Sequence, residues 1–472
     1  MPIKFGTDGW RGVIAEDFTF DNVRLCAQGT ADMLSANGDD RSVVVGYDTR
    51  FGSEQYAAAV AEVFAGNGLR VLLADRPTPT PAIGYNVVAR GAGSGVVITA
   101  SHNPPEWNGY KFKPDYGGSA SPEIVAELEG YVGNAERLGQ SKITALAEGV
   151  KSGLVEYFDP ESLYLENLGR LVDLDRIRRA GLRVVVDSMH GSGGGYLAKL
   201  VSGGTTSAVE LRGERNPSFP GMAQPEPLPQ NLAGLLAEMA ESNADVGLAT
   251  DGDADRLGVV DERGRFVTTL EVFALLCYHQ LEVLGNRGPL VRSITMTSMI
   301  DKLGRAYGVP VFDTPVGFKY LGPVMMREDA LTAGEESGGY AFRGNIPERD
   351  GILSGLMILD LMVRTGKTVS ELLSVLRDRV GPHYYDRLDL HFDAAEREAI
   401  ARRVGSARPG QLAGRRVEDV DTRDGYRFVL PDGYWALVRF SGTEPLLRIY
   451  AEGDSPDMVQ ALLSELRSLA GV

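Results

Sequence analysis

Thr99-Ala100-Ser101-His102-Asn103-Pro104-Pro105-Glu106-Trp107-Asn108-Gly109-Tyr110-Lys111 is the stretch on which the reading of this chain turns. A short run, Gly95 to Ile98, leads into it. That run is largely β-branched and bounded by Gly, so it reads as a buried strand. A hydroxyl, an imidazole and an amide follow at once. Asn103-Pro104 forbids a helix there, because the residue before Pro is pushed out of the helical region. Ser101 is therefore expected on a stiff turn at a strand end. Ligands of open α/β sheets bind outside the carboxyl ends of strands.

Outward from this stretch the pattern repeats. Before it, helices at Asn22 to Ser35 and Glu54 to Ala65 alternate with strands at Val43 to Tyr47 and Val71 to Ala74. This is βαβ alternation, the mark of an α/β layer. After it, Ser121 and Pro122 sit at the N-cap and first turn of a helix striped by Ile124, Leu128 and Val132. A polar region, Gly133 to Gly153, is expected to carry the first boundary. A second segment holds strands at Arg183 to Asp187 and Val246 to Ala249, with a helix at Asn231 to Glu241. A third holds helices near Thr269 to Leu284, Thr297 to Tyr307 and Ile352 to Val363. The last has alternation from Tyr384 to Phe392, helices near Ala394 to Val404 and Pro456 to Leu469, and several short strands, which suggests α+β.

In each of the first three segments a short strand runs straight into a polar loop: Ser101-His102-Asn103, Asp251 to Arg256, and Glu335 to Gly339. Three such units could aim their loops at one cleft. Arg439-Phe440-Ser441-Gly442-Thr443-Glu444 could complete the ring.

Asp251, Asp253 and Asp255 alternate with small residues. In extended backbone they share a face. Three carboxylates together repel unless a cation sits among them, and hard oxygen ligands imply Mg2+ or Ca2+. An EF-hand is excluded, because the sixth position is Arg256 where Gly is needed, and a strand precedes the loop. Arg439, Ser441, Gly442, Thr443 and Arg448 offer guanidiniums, hydroxyls and free backbone N–H groups, the set a phosphate requires. The plainer alternative is a hairpin with surface arginines. Glu335 and Ser337 suit sugar hydroxyls, or equally a helix cap. Arg11 lies among Gly6, Gly9 and Gly12, in a turn that could present its guanidinium; a hairpin with a surface Arg is the simpler reading. The glycine-rich Met189 to Gly195 lacks either nucleotide-binding glycine pattern and reads as a tight turn. Together the parts suggest phosphoryl transfer on a sugar through a phosphoserine, with Lys111 and His102 the near candidates for a base.

Composition bounds these readings. At 472 residues the chain should hold three or four domains. Its net charge of -16 argues against nucleic acid as the main partner. The two cysteines, Cys26 and Cys277, lie far apart and fit a reduced setting. No apolar signal core opens the chain and no apolar run is long enough for a bilayer. A cytoplasmic protein that binds neither nucleic acid nor membrane is expected.

The four loops, in this order, resemble those of the α-D-phosphohexomutases, which include phosphoglucomutase and phosphomannomutase. Thr99 to Pro104 resembles the phosphoserine loop, Asp251 to Arg256 the metal loop, Gly334 to Gly339 the sugar loop, and Arg439 to Pro445 the phosphate loop. The resemblance implies an α/β fold: three related α/β domains around a central cleft plus a smaller α+β C-terminal domain. We divide the sequence at 1–150, 151–260, 261–378 and 379–472. The resemblance further implies that phospho-Ser101 hands its phosphoryl group to a hexose 1-phosphate. Mg2+ would be held by Asp251, Asp253, Asp255 and an oxygen on Ser101. Lys111 matches the family's base, with His102 beside it. Arg11 and Arg256 would steady the phosphoserine region, and Glu335 with Ser337 would read sugar hydroxyls. Arg349 falls where glucose-type members carry a basic residue. A hexose 1,6-bisphosphate is the implied activator, and a monomer or homodimer the implied state. Some dual mannose/glucose enzymes carry His after the Gly of the preceding loop, where this chain has Phe318-Lys319 after Gly317. Phosphoglucosamine mutases have Gln and His where this chain has Glu336 and Gly339. Both departures point to a glucose-type enzyme, with phosphomannomutase or dual activity next and phosphoglucosamine mutase after it.

Overall fold

Val43–Tyr47 and Ser94–Ile98 are short and apolar along their whole length, and every residue of both strands is buried. Such strands need cover on both faces. The computed structural model describes residues 3–6, 8–441 and 445–472 and supplies that cover with helices around three sheets, followed by a fourth, antiparallel one. The first sheet contains β1 (Trp10–Val13), β2 (Val43–Tyr47), β3 (Val71–Ala74), β4 (Ser94–Ile98), β5 (Trp107–Pro114) and β6 (Val155–Phe158), in the order β1-β5-β4-β2-β3-β6. The second contains β7 (Arg183–Asp187), β8 (Ser207–Leu211), β9 (Val246–Thr250), β10 (Leu257–Val260) and β11 (Phe266–Val267), ordered β11-β10-β9-β7-β8. The third contains β12 (Leu290–Ser293), β13 (Val311–Thr314), β14 (Thr332–Gly334) and β15 (Tyr340–Phe342), ordered β13-β12-β14-β15.

One local design recurs in all three. A strand of the parallel set turns back through a polar loop into an antiparallel neighbour: β4 into β5, β9 into β10, β14 into β15. The three loops so formed are those carrying Ser101, the aspartates and Glu335. Since Glu335–Gly339 joins two strands, the helix-cap alternative for Glu335 and Ser337 falls away. The fourth unit starts with β16 (Tyr384–His391) and a small ribbon, β17 (Gln411–Leu412) with β18 (Arg415–Arg416). It continues through β19 (Asp419–Asp421), β20 (Tyr426–Val429), β21 (Trp435–Phe440) and β22 (Leu446–Gly453), with the main sheet ordered β16-β22-β21-β20-β19.

Two expected breaks move. The sheet begun before residue 150 takes β6 beyond it, paired in parallel with β3. The polar region read as a boundary instead holds a helix end at Gly139 and a surface helix, Leu146–Ser152. The second sheet likewise reaches past 260, because β11 pairs with β10. The second and third units share one apolar core, in which Leu197, Leu248, Phe273 and Leu356 are all buried. The helix Gly351–Thr365 runs through that core, with Asp350 capping its start by accepting the Leu353 amide. Cys26 and Cys277 are free, buried thiols. Among the described residues no helix is long and apolar enough to cross a membrane.

Candidate active site

Ser101 follows β4 with φ 54°, in the left-handed region that costs a residue with a side chain about 1–2 kcal/mol. The surroundings over-determine it. Its amide donates to Thr99 Oγ1 at 2.8 Å, and that hydroxyl donates to Asp48 Oδ2 at 2.6 Å. Arg50, fully buried, spreads its guanidinium beneath the loop. Nη2 donates to the carbonyls of Ser101 and Asn103 at 2.6 Å each. Nη1 donates to those of Pro104 at 2.8 Å and Trp107 at 3.1 Å. Asp48 lies 3.2 Å from Arg50 Nε and neutralises it. Thus the turn is held from below by one forked cation. Ser101 Oγ is left to donate across to Asp251 Oδ2 at 3.0 Å.

The aspartates meet by a different route from the expected one. They do not sit on one face of an extended strand. The backbone turns instead, with Ala254 at φ 58° and its amide donating to the Asp251 carbonyl at 3.1 Å. Asp251 Oδ1 accepts the Asp255 and Arg256 amides at 3.0 and 3.1 Å, which folds the loop around it. Gly252 is required by contact: a Cβ there would fall 2.4 Å from the Ser101 carbonyl oxygen. The turn at Met189–Gly195 braces the same loop, since Ser192 N donates to the Gly252 carbonyl at 3.0 Å.

The triad fits a divalent cation. All three aspartates are buried, and one oxygen from each lies within 4.8 Å of the others. Among the described residues, Asp253 Oδ1 and Asp255 Oδ1 are buried without a hydrogen-bond partner. Burial and then the neighbouring Asp255 and Asp253 push Asp251 well above the usual carboxylate range. Oxygen donors alone, in this charge arrangement, suit Mg2+ or Ca2+.

Cations ring the triad. Lys111 Nζ lies 2.7 Å from Asp8, 2.9 Å from Asp253 and 3.5 Å from Asp255. Burial opposes its charge, but Asp253, Asp8 and Asp255 outweigh it and hold it above the ordinary lysine range. In this arrangement Lys111 is a proton donor, and it must first give up a proton to act as the expected base. Arg349 Nη2 lies 2.5 Å from Asp8 and 2.9 Å from Asp255. Arg256 donates to Glu226 at 2.6 Å, and Arg11 to Asn103 Oδ1 at 2.5 Å. His102 is neutral: burial and then Arg256, Arg11 and Lys111 hold it well below the usual imidazole range, and its buried Nδ1 has no partner among the described residues.

Glu335 is buried 3.9 Å from Arg349 Nη1, and burial raises its carboxyl to about 7 against the pull of Arg349 and Arg256. Gly339 makes room for that arginine, since a Cβ there would stand 2.3 Å from Arg349 Cδ. Glu336 turns to the fourth unit and accepts from Tyr385 at 2.9 Å and Arg387 at 3.0 Å. Ser337 and Lys319 are half-buried, Lys319 with Nζ 5.4 Å from the Tyr320 ring centre. Arg439, at the end of β21, donates to Asp424 Oδ2 at 2.9 Å, and the same oxygen accepts the Val316 amide, which ties the fourth unit to the loop before Lys319. Ser441 is buried with its amide on the Leu446 carbonyl. Arg448 lies 3.8 Å from Asp389. Gly442 and Thr443 lie outside the described residues. Nothing in the sequence marked Asp48, Arg50, Asp8, Lys113 or Glu348 as parts of this centre. Lys113 Nζ donates to Glu348 at 2.5 Å, and Ser119 joins the same oxygen at 2.7 Å.

With the geometry described, comparison with known proteins decides the family. The models for phosphoglucomutase/phosphomannomutase domains I, II and III and the C-terminal domain match residues 2–138, 162–264, 271–379 and 392–469. A "Phosphoglucomutase/phosphomannomutase" of Thermococcus kodakarensis is 32% identical over 97% of this chain and 96% of its own. The chain belongs to the phosphoglucomutase/phosphomannomutase family. This phosphohexomutase is also 32% identical to a "Probable phosphoglucosamine mutase" of Methanopyrus kandleri, over 98% and 96% of the two chains. A solved structure from Thermus Thermophilus, named as a candidate phosphomannomutase, shares 36% identity at a TM-score of 0.86 over the whole of both chains. The three α/β domains and the C-terminal domain of the phosphohexomutase are thus those of its family.

Proposed function

We propose that this phosphohexomutase interconverts glucose 1-phosphate and glucose 6-phosphate through phospho-Ser101 and a hexose 1,6-bisphosphate. The observation that supports it most is the hydrogen bond from Ser101 Oγ to Asp251, which brings a rigidly held hydroxyl to a buried carboxylate triad. In the forward step the Ser101 Oγ–phosphorus bond breaks and an O6–phosphorus bond forms on the sugar. The Lys111 ammonium protonates the departing Ser101 oxygen and recovers the proton that O6 gives up. On the return the roles reverse, with Ser101 taking the other phosphate of the turned bisphosphate. Asp251, Asp253 and Asp255 would hold Mg2+, which would supply charge neutralisation on the phosphoryl oxygens. Arg11 and Arg256 steady the serine loop. Glu335, Ser337, Lys319 and Arg349 face the sugar, and Arg439, Ser441, Gly442, Thr443 and Arg448 take the distal phosphate. Free hexose 1,6-bisphosphate recharges an enzyme that has lost its phosphate.

Gly339 and Arg349 favour glucose, because the room Gly339 leaves is filled by the arginine. The relative named for glucosamine favours a second reading, phosphoglucosamine mutase. Parallel initial rates on glucose, mannose and glucosamine 1-phosphates, with Mg2+ and a trace of hexose bisphosphate, separate them. Glucose is expected fastest; a faster amino sugar overturns the preference. Ser101→Ala is expected to lose about a thousandfold or more in kcat, and full activity in that variant refutes the phosphoserine route.

A further inference from the structure

We propose that Asp8 is a positioning residue of this centre, fixing the Lys111 ammonium and the Arg349 guanidinium side by side where the first and third units meet. The inference rests on reading the Ser101 cleft as a phosphoryl-transfer site, and not on which hexose it prefers.

Asp8 lies two residues before β1, next to Gly9, whose carbonyl accepts the Gly6 amide at 2.8 Å. Its Oδ2 touches two cations, Lys111 Nζ at 2.7 Å and Arg349 Nη2 at 2.5 Å. Its Oδ1 is occupied as well, by Ser119 Oγ at 3.4 Å and Lys113 Nζ at 3.6 Å. The carboxylate is thus loaded on both oxygens and cannot swing away without breaking several contacts. Each cation reaches past Asp8 to the aspartate loop, Lys111 to Asp253 and Arg349 to Asp255, both at 2.9 Å.

The partner sets of the two cations explain why Asp8 matters. Arg349 also has Glu348 at 3.2 Å. Among the described residues, Asp8 is the one ion-pair partner of Lys111 outside the triad. The triad carboxylates are also the groups suited to a divalent cation. A cation held there would weaken their hold on Lys111 and repel the ammonium. Asp8 then keeps the flexible lysine stem in place. It also offsets the repulsion between Lys111 and Arg349, which would otherwise drift apart. Misplacement of a reacting group by about 1 Å costs on the order of a hundredfold in rate.

The test compares Asp8→Asn, Lys111→Met and the double variant with the wild type. The substrate is whichever of the glucose, mannose and glucosamine 1-phosphates the wild type turns over fastest. Asp8→Asn keeps the shape and removes the charge. Its kcat is expected to fall about a hundredfold, with the KM for sugar phosphate and the Mg2+ requirement moving less than about threefold. The double variant is expected to be no slower than Lys111→Met, because residues acting through one another do not add. If Asp8→Asn fails to fold, Asp8→Glu carries the same measurements, keeping the charge but displacing it by one methylene. A folded variant with kcat within threefold of the wild type overturns the proposal. So do losses that multiply in the double variant, the result a purely structural role gives. A wild type inert on all three sugars refutes the phosphoryl-transfer reading, and the role of Asp8 with it.

Discussion

Glu335 carries the most distinctive proton of the site outside the aspartate loop. Burial raises its carboxyl from the ordinary 4.5 to about 7. The folded protein therefore keeps a proton there that the unfolded chain has lost between those values. Stability attached to this group is complete below about pH 4.5 and falls as pH rises towards 7. A shift of this size corresponds to about 3 kcal/mol. Urea unfolding of the wild type and Glu335→Gln should show their free-energy difference change by about that much between pH 4.5 and 7.5, and a flat difference contradicts the burial account. The sequence singled out Ser101, the aspartates and Glu335 in loops after strands and Arg349 through the family resemblance, and the fold brings the aspartates beside Ser101 and Arg349. Their supports were not legible there. Asp8 between glycines looks like any turn-former, and Asp48-Thr49-Arg50 looks like a solvated turn. Only the fold reveals that both lie under other loops.

A strand that doubles back through its functional loop is the repeated element. The sequence disclosed the strand and the loop, because apolar runs end abruptly in polar residues. It also disclosed β2, β3 and β7 to the residue. It misled on how the aspartates converge, since alternate spacing fits an extended chain as well as a turn; the positive φ of Ala254 decides for the turn. The doubled-back strand of the first unit depends on Arg50, whose four carbonyl partners span Ser101 to Trp107. Arg50→Met should remove those bonds and leave Asp48 buried beside an apolar chain, at a cost of about 3–5 kcal/mol. The unfolding midpoint in urea measures it; a loss under 1 kcal/mol shows that the loop stands without the arginine.

At the scale of the molecule, the four-unit order was legible from loop order, while the breaks at 150 and 260 were misplaced because a polar stretch can be a surface helix or a hairpin turn as readily as a linker. One tie between the fourth unit and the third is a fully buried carboxylate. Glu452, on β22, accepts from Trp435 Nε1 and the Ser298 amide at 2.8 Å each and from the Thr297 hydroxyl. Hydrogen bonds to a charged group contribute about 1.5–3 kcal/mol each. Glu452→Ala should therefore raise the rate of limited proteolysis at the Gly381–His383 link by about tenfold or more, and an unchanged rate shows that other contacts hold the unit. The pair Asp8–Arg349 adds a temporal dimension. Its partners are 341 positions apart in the chain, and contacts of such separation form late in folding. A growing chain thus carries Ser101 long before it owns the aspartates, and the aspartates before it owns Arg349. The strand-end serine is made early, and the carboxylates and guanidinium that surround it are complete only once synthesis has passed the third sheet.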